Sequence, residues 1–451
     1  MTFYEHVKKN MWLAFPVMLS QVGQIALNVA DTVMVGKVAD PYQSEINLGA
    51  VSLGNSVFIL LLVCILGISI IISPLVAEKD VNQDYRSGSD IFSHGLVINV
   101  VFSIMFCLLT VLCSKLMYHL GQPENVVKEA ILYLNISAFS LIPVMVFQTF
   151  RQFGEGLSLT LPATIATWIA ILVNIFLNYC LIEGNLGFPA MGVQGAALGS
   201  LIARFLSMLC IFVIVLQWKK FKLYLQHVSF KRWSSSLFKK MIKLGIPTGF
   251  QMFFEVSAFT VAAFIAGLTS RTDLAAHQVA IQLASISFLM CTGLAVAATV
   301  RIGNQKGMQD FKMLREVGYS NIKMTGIFMF FCGLLFIFFR EELPWGFTQS
   351  ENAAALASDL LIIAALFQLG DGIQLVTLGS LRGIQDVNIP MIITFFAYWV
   401  ITIPISYMCA VYFKMGAFGV WIGLGIGLTL SALALLYRYN KLTNDLIIKN
   451  Q

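Results

Sequence analysis

Among the acidic side chains that fall inside long apolar runs of the chain are Asp31, Glu255 and Asp371. An ionised acid near a bilayer centre costs about 2.5–3.5 kcal/mol on insertion scales, and such residues mark ion or substrate pathways by default. Two carboxyl groups that face one cavity can share a proton or jointly hold a hard cation through oxygen ligands. Glu255 and Asp371 lie near the middle of their runs, and Gly370 and Gly372 flank the latter, permitting close backbone approach or local unwinding. A second set follows from depth counting. Asp31, Asn178 and Ser200 lie five, four and seven residues from the outer ends of their runs, and Asn174 is one turn below Asn178. Carboxylate, amide and hydroxyl oxygens together make a candidate cation site, although Asn and Ser also serve as packing groups between membrane helices.

Other polar residues along the apolar runs are Gln21, Gln24, Gln251, Gln278, Gln282, Gln368, Gln374 and Tyr398. They either wet a substrate cavity or bond between helices, and the sequence leaves both readings open. His277 is open in the same way, between a proton relay and packing. Within the runs and away from their ends, Arg204 and Lys323 are the bases available to neutralise these acids.

The elements that must position these groups are read from composition. Of 451 residues 58% are hydrophobic and 12% charged, whereas a soluble domain carries roughly 25% charge. Mean hydropathy of +0.81 leaves too few polar groups to coat soluble domains. Apolar runs predict spans near 12–36, 47–77, 91–113, 130–150, 162–182, 193–216, 241–268, 274–300, 317–339, 353–381, 389–413 and 417–437. The first run is too long for a signal peptide and lacks a cleavage pattern. The eight cysteines, none in a C-x-x-C pair, read as reduced packing residues. The basic residues do not form a patch suited to nucleic acid, so none is expected as a partner. Nor is an enzyme expected, since H-E-x-x-H and G-x-S-x-G are absent from the sequence.

With twelve spans, alternate loops share a side with both termini. Of the 29 Lys and Arg, 21 fall on that side, six on the other, and two within spans. The positive-inside rule makes it cytoplasmic. Eight of the 21 crowd the stretch from Lys219 to Lys243, midway along the chain. The two halves around it repeat. At an offset of 226, Leu48–Gly54 falls on Leu274–Ala280 and Gly67 on Gly293, and near 228 Phe153–Pro162 falls on Leu381–Pro390. Near 224, Gly192, Gly195 and Gly199 fall on Gly416, Gly419 and Gly423, while Pro16 and Pro247 open the first and seventh spans alike. Six spans per half make the copies parallel, a layout of secondary transporters. The expected fold is all-α and membrane-embedded, with twelve transmembrane helices in two pseudo-twofold-related six-helix bundles around a central cavity. The expected boundaries are 1–217 for the first lobe, 218–240 for a cytoplasmic basic linker and 241–451 for the second lobe.

Several motifs resemble the multidrug and toxic compound extrusion (MATE) family in its NorM-like branch. They are Pro16-x4-Gln21, Asp31-Thr32-Val33-Met34-Val35-Gly36, Ala275-Ala276-His277-Gln278, Gly379-x2-Arg382-Gly383-x2-Asp386-x3-Pro390-Met391, and Tyr398-Trp399 with Pro404. The resemblance implies export of varied, often cationic organic molecules across the cell inner membrane, driven by Na⁺ or H⁺, with no other cofactor. By the same resemblance Glu255 and Asp371 are the coupling acids of the C-lobe. Asp31, Asn174 and Asn178 match the N-lobe set, with Ser200 where several relatives have Thr. Arg382 and Asp386 match a loop motif read as a gate or fold element. A monomer in the lipid bilayer is expected. The rival reading is a lipid-linked oligosaccharide flippase of similar architecture, whose anionic cargo would favour bases in the cavity where this chain places acids.

Overall fold

The computed structural model describes residues 1–36, 41–182 and 184–450, and within these the side chains of 28–33, 36, 41–45 and 120 are not described. Asp31 therefore lies outside the described side chains, although its backbone belongs to the first helix. The helices, in order, are α1 (Phe3–Gly36), α2 (Pro41–Ile70), α3 (Ile72–Asp80), α4 (Tyr85–Cys113), α5 (Glu124–Phe139), α6 (Leu141–Gly156), α7 (Leu161–Leu181) and α8 (Gly192–Gln217). The second half has α9 (Lys219–Leu225), α10 (Ser235–Thr269), α11 (Arg271–Met308), α12 (Phe311–Phe338), α13 (Glu351–Ile384), α14 (Asn388–Phe395), α15 (Ile403–Tyr407) and α16 (Ala417–Lys449). Among the described residues there is no strand.

Among the described residues ten helical segments are long and apolar enough to cross a membrane, and the pair α5–α6, bent by 42°, makes an eleventh. With α1, 34 residues long, the twelve positions read from the apolar runs are all helical. The fold is the expected all-α, twelve-span arrangement. The eleventh span departs from a regular helix, running through π-helical turns at Phe396–Thr402 and Met408–Tyr412 on either side of α15. There the Thr402 hydroxyl donates to the Ala397 carbonyl at 2.9 Å, satisfying an oxygen in the wider turn.

Contacts divide the chain into two compact units: Leu19–Val76 with Gln83–Gly249, and Phe250–Gln451 with Met1–Met18 and Ala77–Asn82. The first 18 residues thus belong with the second half, and the opening of α10 belongs with the first. Glycines explain this exchange. In one unit, a Cβ on Gly67 of α2 would lie 2.6 Å from the Gly245 carbonyl of α10, and one on Gly245 would lie 2.9 Å from the Ile68 Cα. In the other unit, a Cβ on Gly293 of α11 would lie 2.6 Å from the Ala14 carbonyl of α1. Gly67 and Gly293 are the pair matched by the repeat, so each half uses the equivalent glycine to seat the first stretch of the other half's leading helix.

The second glycine repeat is also a packing device. On α8, Gly195 faces the end of α7, and a Cβ on Gly199 would lie 2.5 Å from the Asn178 Oδ1. On α16, Gly419 and Gly423 face Ala410 and Ser406 of the eleventh span. The Ser406 hydroxyl donates to the Val420 carbonyl at 3.1 Å.

Candidate functional site

Helix periodicity places Gln251 and Glu255 one turn apart on α10, and Asp371 and Gln374 one turn apart on α13. All four are buried. The Gln251 Nε2 donates to Glu255 Oε2 at 3.2 Å, and the Gln374 Nε2 lies 3.5 Å from Glu255 Oε1. The same Gln374 amide donates to the Tyr398 hydroxyl at 2.7 Å. Glu255 is therefore held between two amides that donate to it, an arrangement suited to a carboxylate. Asp371 is different, because its Oδ1 is buried with no hydrogen-bond partner among the described residues. The glycines beside it let α13 pack closely: a Cβ on Gly372 would lie 2.6 Å from Met329 Cγ, and one on Gly370 would lie 3.5 Å from the Thr429 backbone. The arrangement offers carboxylate, amide and phenol oxygens in a dry setting, donors that fit a proton or a hard cation.

Arg204 and Lys323 are not the full set of bases on the spanning helices, and Arg382 is one that reaches the acids. Arg382 lies on α13, and its guanidinium donates to Gln251 Oε1. Gln251 thus links Arg382 to Glu255, accepting from the first and donating to the second. The sequence concealed this because Arg382 is 127 positions from Glu255 and sits near a helix end. A signal was nonetheless present: Gly379 and Gly383 bracket it. A Cβ on either would lie within 2.6–2.8 Å of the Ala295 or Thr299 carbonyls of α11, so small residues hold that stretch of α13 against its neighbour. The two bases noted from the sequence are placed elsewhere. Arg204 lies 4.5 Å over the Phe58 ring and donates to Ser140, and Lys323 is exposed on α12.

In the first half, the Asn178 Nδ2 donates to Asn174 Oδ1 at 3.0 Å, and the Asn174 Nδ2 to the Ser200 hydroxyl at 3.3 Å. Both asparagines are buried, and Ser200 is half-buried. Asn178, Asn174 and Ser200 therefore form one hydrogen-bonded chain between α7 and α8.

The remaining polar candidates separate by burial. Gln278 and Gln282, one turn apart on α11, are exposed, and Gln24 is half-buried. Gln368 is buried and its Nε2 donates to the Ser287 hydroxyl at 2.7 Å, a bond between α13 and α11. Tyr398 is fully buried in the Gln374 bond. His277 accepts from the Trp421 indole N–H at 3.1 Å through Nδ1 and is 1% exposed, which is packing.

A family model described as MatE matches residues 16–180 and 247–408. The chain belongs to the MatE family. The two matched stretches correspond to the two repeated halves. The chain is 31% identical to the "Probable multidrug resistance protein NorM" of Bacillus cereus, covering 100% of this chain and 98% of that protein. It is 30% identical to the "Multidrug resistance protein NorM" of Photobacterium profundum, over 97% and 95% of the two chains. Among solved structures it is similar to a eukaryotic MATE transporter, with a TM-score of 0.88, 19% identity and full coverage of both chains. It also resembles an outward-facing multidrug resistance MATE family transporter, with a TM-score of 0.88, 20% identity, and 97% and 96% coverage.

The Asp386 carboxylate accepts from the Arg438 Nε at 2.7 Å, tying the end of α13 to α16. Next to it, Gln385 has φ 71° and closes α13, and its amide donates to Glu78 at 2.5 Å. Lys306 lies 3.4 Å from the same Glu78 carboxylate. These contacts fix the helix end from which Arg382 reaches back to Gln251. Replacing Gln251 with Leu removes the acceptor of the Arg382 guanidinium and one of the two amides that donate to Glu255. Such a loss costs on the order of 2 kcal/mol, so Gln251→Leu is expected to lower the thermal unfolding midpoint in detergent by several degrees. An unchanged midpoint would show that the amide carries no weight.

Proposed function

We propose that this protein is an efflux antiporter that exports organic, often cationic compounds from the cytoplasm by alternating access, driven by inward Na⁺ or H⁺. The observation that carries the reading is Asp371, a buried acid whose Oδ1 has no partner among the described residues, on the helix that also donates to Glu255. A carboxyl group in that condition gains most from a positive charge that comes and goes. The names of the full-length relatives, multidrug resistance proteins NorM, support the class of cargo.

In this reading an outward-open cavity takes up Na⁺ or H⁺ at its acids, which weakens the hold on a cationic cargo, and the cation-loaded form then returns inward. The ion drives the cycle only through unequal affinity for the two states. Glu255 and Asp371 are the C-lobe coupling residues, with Gln374 and Tyr398 orienting Glu255. Asp31, Asn174, Asn178 and Ser200 are the N-lobe counterpart. The exposed Gln278 and Gln282 suit contact with cargo. The protein acts as a monomer in the cell inner membrane with both termini cytoplasmic, and its two repeated halves, 1–217 and 241–451, form the lobes after exchanging the first stretches of their leading helices.

The experiment is uptake of a fluorescent organic cation into inverted membrane vesicles, with Na⁺ and pH gradients imposed separately. Uptake driven by one of the two gradients is expected. Uptake that needs neither, or transport of a labelled anionic lipid in place of the cation, would overturn the reading.

A further inference from the structure

The stretch joining the two halves, from Trp218 to Lys243, contains eight Lys or Arg and no Asp or Glu. It is not a loose tether. Phe221 and Tyr224 of α9 are fully buried, Tyr224 meeting Tyr85 edge-on with ring centroids 5.1 Å apart. Ser89 donates to the Tyr224 carbonyl at 2.6 Å, and Lys220 to the Leu157 carbonyl at 2.7 Å. Further along, the Trp233 ring stacks on His94 at 4.5 Å, and the Ser234 N–H donates to His94 Nε2 at 2.9 Å. His94 Nδ1 is engaged by the Asp90 carbonyl at 2.7 Å, and Arg232 pairs with the Asp90 carboxylate at 3.5 Å. One face of the linker is thus fastened to α4 and to the end of α6.

The other face carries the charge. Lys219, Lys222, Lys231, Lys239, Lys240 and Lys243 are exposed. None of these six has a hydrogen bond or ion pair among the described residues. Between them stand Phe230, 60% exposed, and the outer side of Trp233, 49% exposed. The linker connects the end of one spanning helix, α8, to the start of another, α10, so it lies close to the membrane surface. Unpaired lysines interleaved with exposed aromatic rings at that depth match an anionic headgroup layer, where Trp and Phe settle at the boundary and Lys meets phosphate.

We propose that the pinned linker is a docking surface for anionic phospholipids of the cytoplasmic leaflet, with its lysines on headgroup phosphates and Phe230 and Trp233 at the acyl boundary. The leaflet follows from the orientation proposed above. The docking itself is independent of what the protein transports.

The test uses the full chain in zwitterionic liposomes doped with brominated phosphatidylglycerol or, at the same mole fraction, brominated phosphatidylcholine. The Trp233 signal is taken as the difference between the protein and its Trp233→Phe variant. At low ionic strength the brominated anionic lipid is expected to quench that signal roughly twofold more than the zwitterionic one. The excess is expected to vanish in about 1 M salt and in a Lys231→Gln, Lys239→Gln, Lys240→Gln variant. The corresponding Arg variant is expected to keep it. Equal quenching by the two lipids, or an excess indifferent to salt in the unmodified protein, would overturn the proposal whether or not the Gln variant inserts. So would an excess abolished by soluble polyphosphate at low concentration, which would make a free polyanion the occupant.

Discussion

Asp371→Asn is expected to abolish gradient-driven export while leaving the amount of folded protein unchanged or slightly raised. Asn reproduces the shape of the side chain, and the close contacts of Gly370 and Gly372 with Thr429 and Met329 are untouched. What disappears is the ability to bind a positive charge at a buried oxygen that has no partner among the described residues. Removing an ionisable group from the apolar bundle also removes its insertion cost, about 2.5–3.5 kcal/mol at mid-membrane. Stability therefore does not fall. Transport does: losing even 1.4 kcal/mol of differential affinity for the driving ion reduces coupling about tenfold. The check is vesicle uptake at matched expression, beside size-exclusion profiles of the two proteins. Normal uptake by the variant would remove Asp371 from the coupling site.

The largest effect on folding is expected at Gly249. Where α2 crosses the start of α10, Gly67, Gly245 and Gly249 bring the two backbones into contact. A Cβ on Gly249 would collide with the Cys64 carbonyl, and the atom within reach is backbone rather than the end of a flexible side chain. Gly249→Leu forces the helices apart, at a cost of 3 kcal/mol or more, on the order of the largest single-substitution effects. Loss of the monodisperse peak on fluorescence-detected size exclusion is the expected result. Gly326→Ala is the control. Nothing lies within 4 Å of a Cβ at that position, and a helical Gly to Ala change stabilises by roughly 0.5–1 kcal/mol. If both substitutions behaved alike, the close approach of α2 and α10 would be wrong.

Much of this molecule is legible in its sequence because the bilayer simplifies the problem. A spanning segment must be apolar and must satisfy its own backbone, so runs of twenty residues read as helices with little ambiguity. The repeat was readable for a related reason: glycines that let backbones touch cannot be exchanged for larger residues without separating helices, so Gly67 and Gly293 stand at equivalent places. Buried acids stand out against apolar neighbours, which is how Glu255 and Asp371 were found. Depth counting put Asn178 and Ser200 at one level and helix periodicity put Asn174 one turn away, but the bonds that link the three are visible only in the structure.

What was hidden depends on partners that a linear pattern does not name. Arg382 reads as a residue of a helix-end motif, and only the crossing of α13 with α10 reveals its bond to Gln251. The same blindness affects the glutamines. Gln368 and Gln278 look alike as lone amides in apolar runs, yet one bonds to Ser287 inside its unit and the other is exposed. The exchange of leading helices between the units was equally invisible, since Pro16 and Pro247 mark equivalent positions without saying which half each helix packs against. The π-helical turns of the eleventh span left no composition signal either, although Gly419 and Gly423, which pack on that span, stood out in the repeat.

In the proposed cycle a travelling cation and an organic cargo draw on the same buried acids, which displacement tests most directly. Purified protein equilibrated with radioactive Na⁺, or in weak buffer with a pH indicator, is mixed with a fluorescent organic cation. Release of bound Na⁺ or of protons on cargo binding is predicted, and it should be missing from the protein carrying both Glu255→Gln and Asp371→Asn. Cargo binding that releases neither ion, or equal release from the doubly substituted protein, would contradict it.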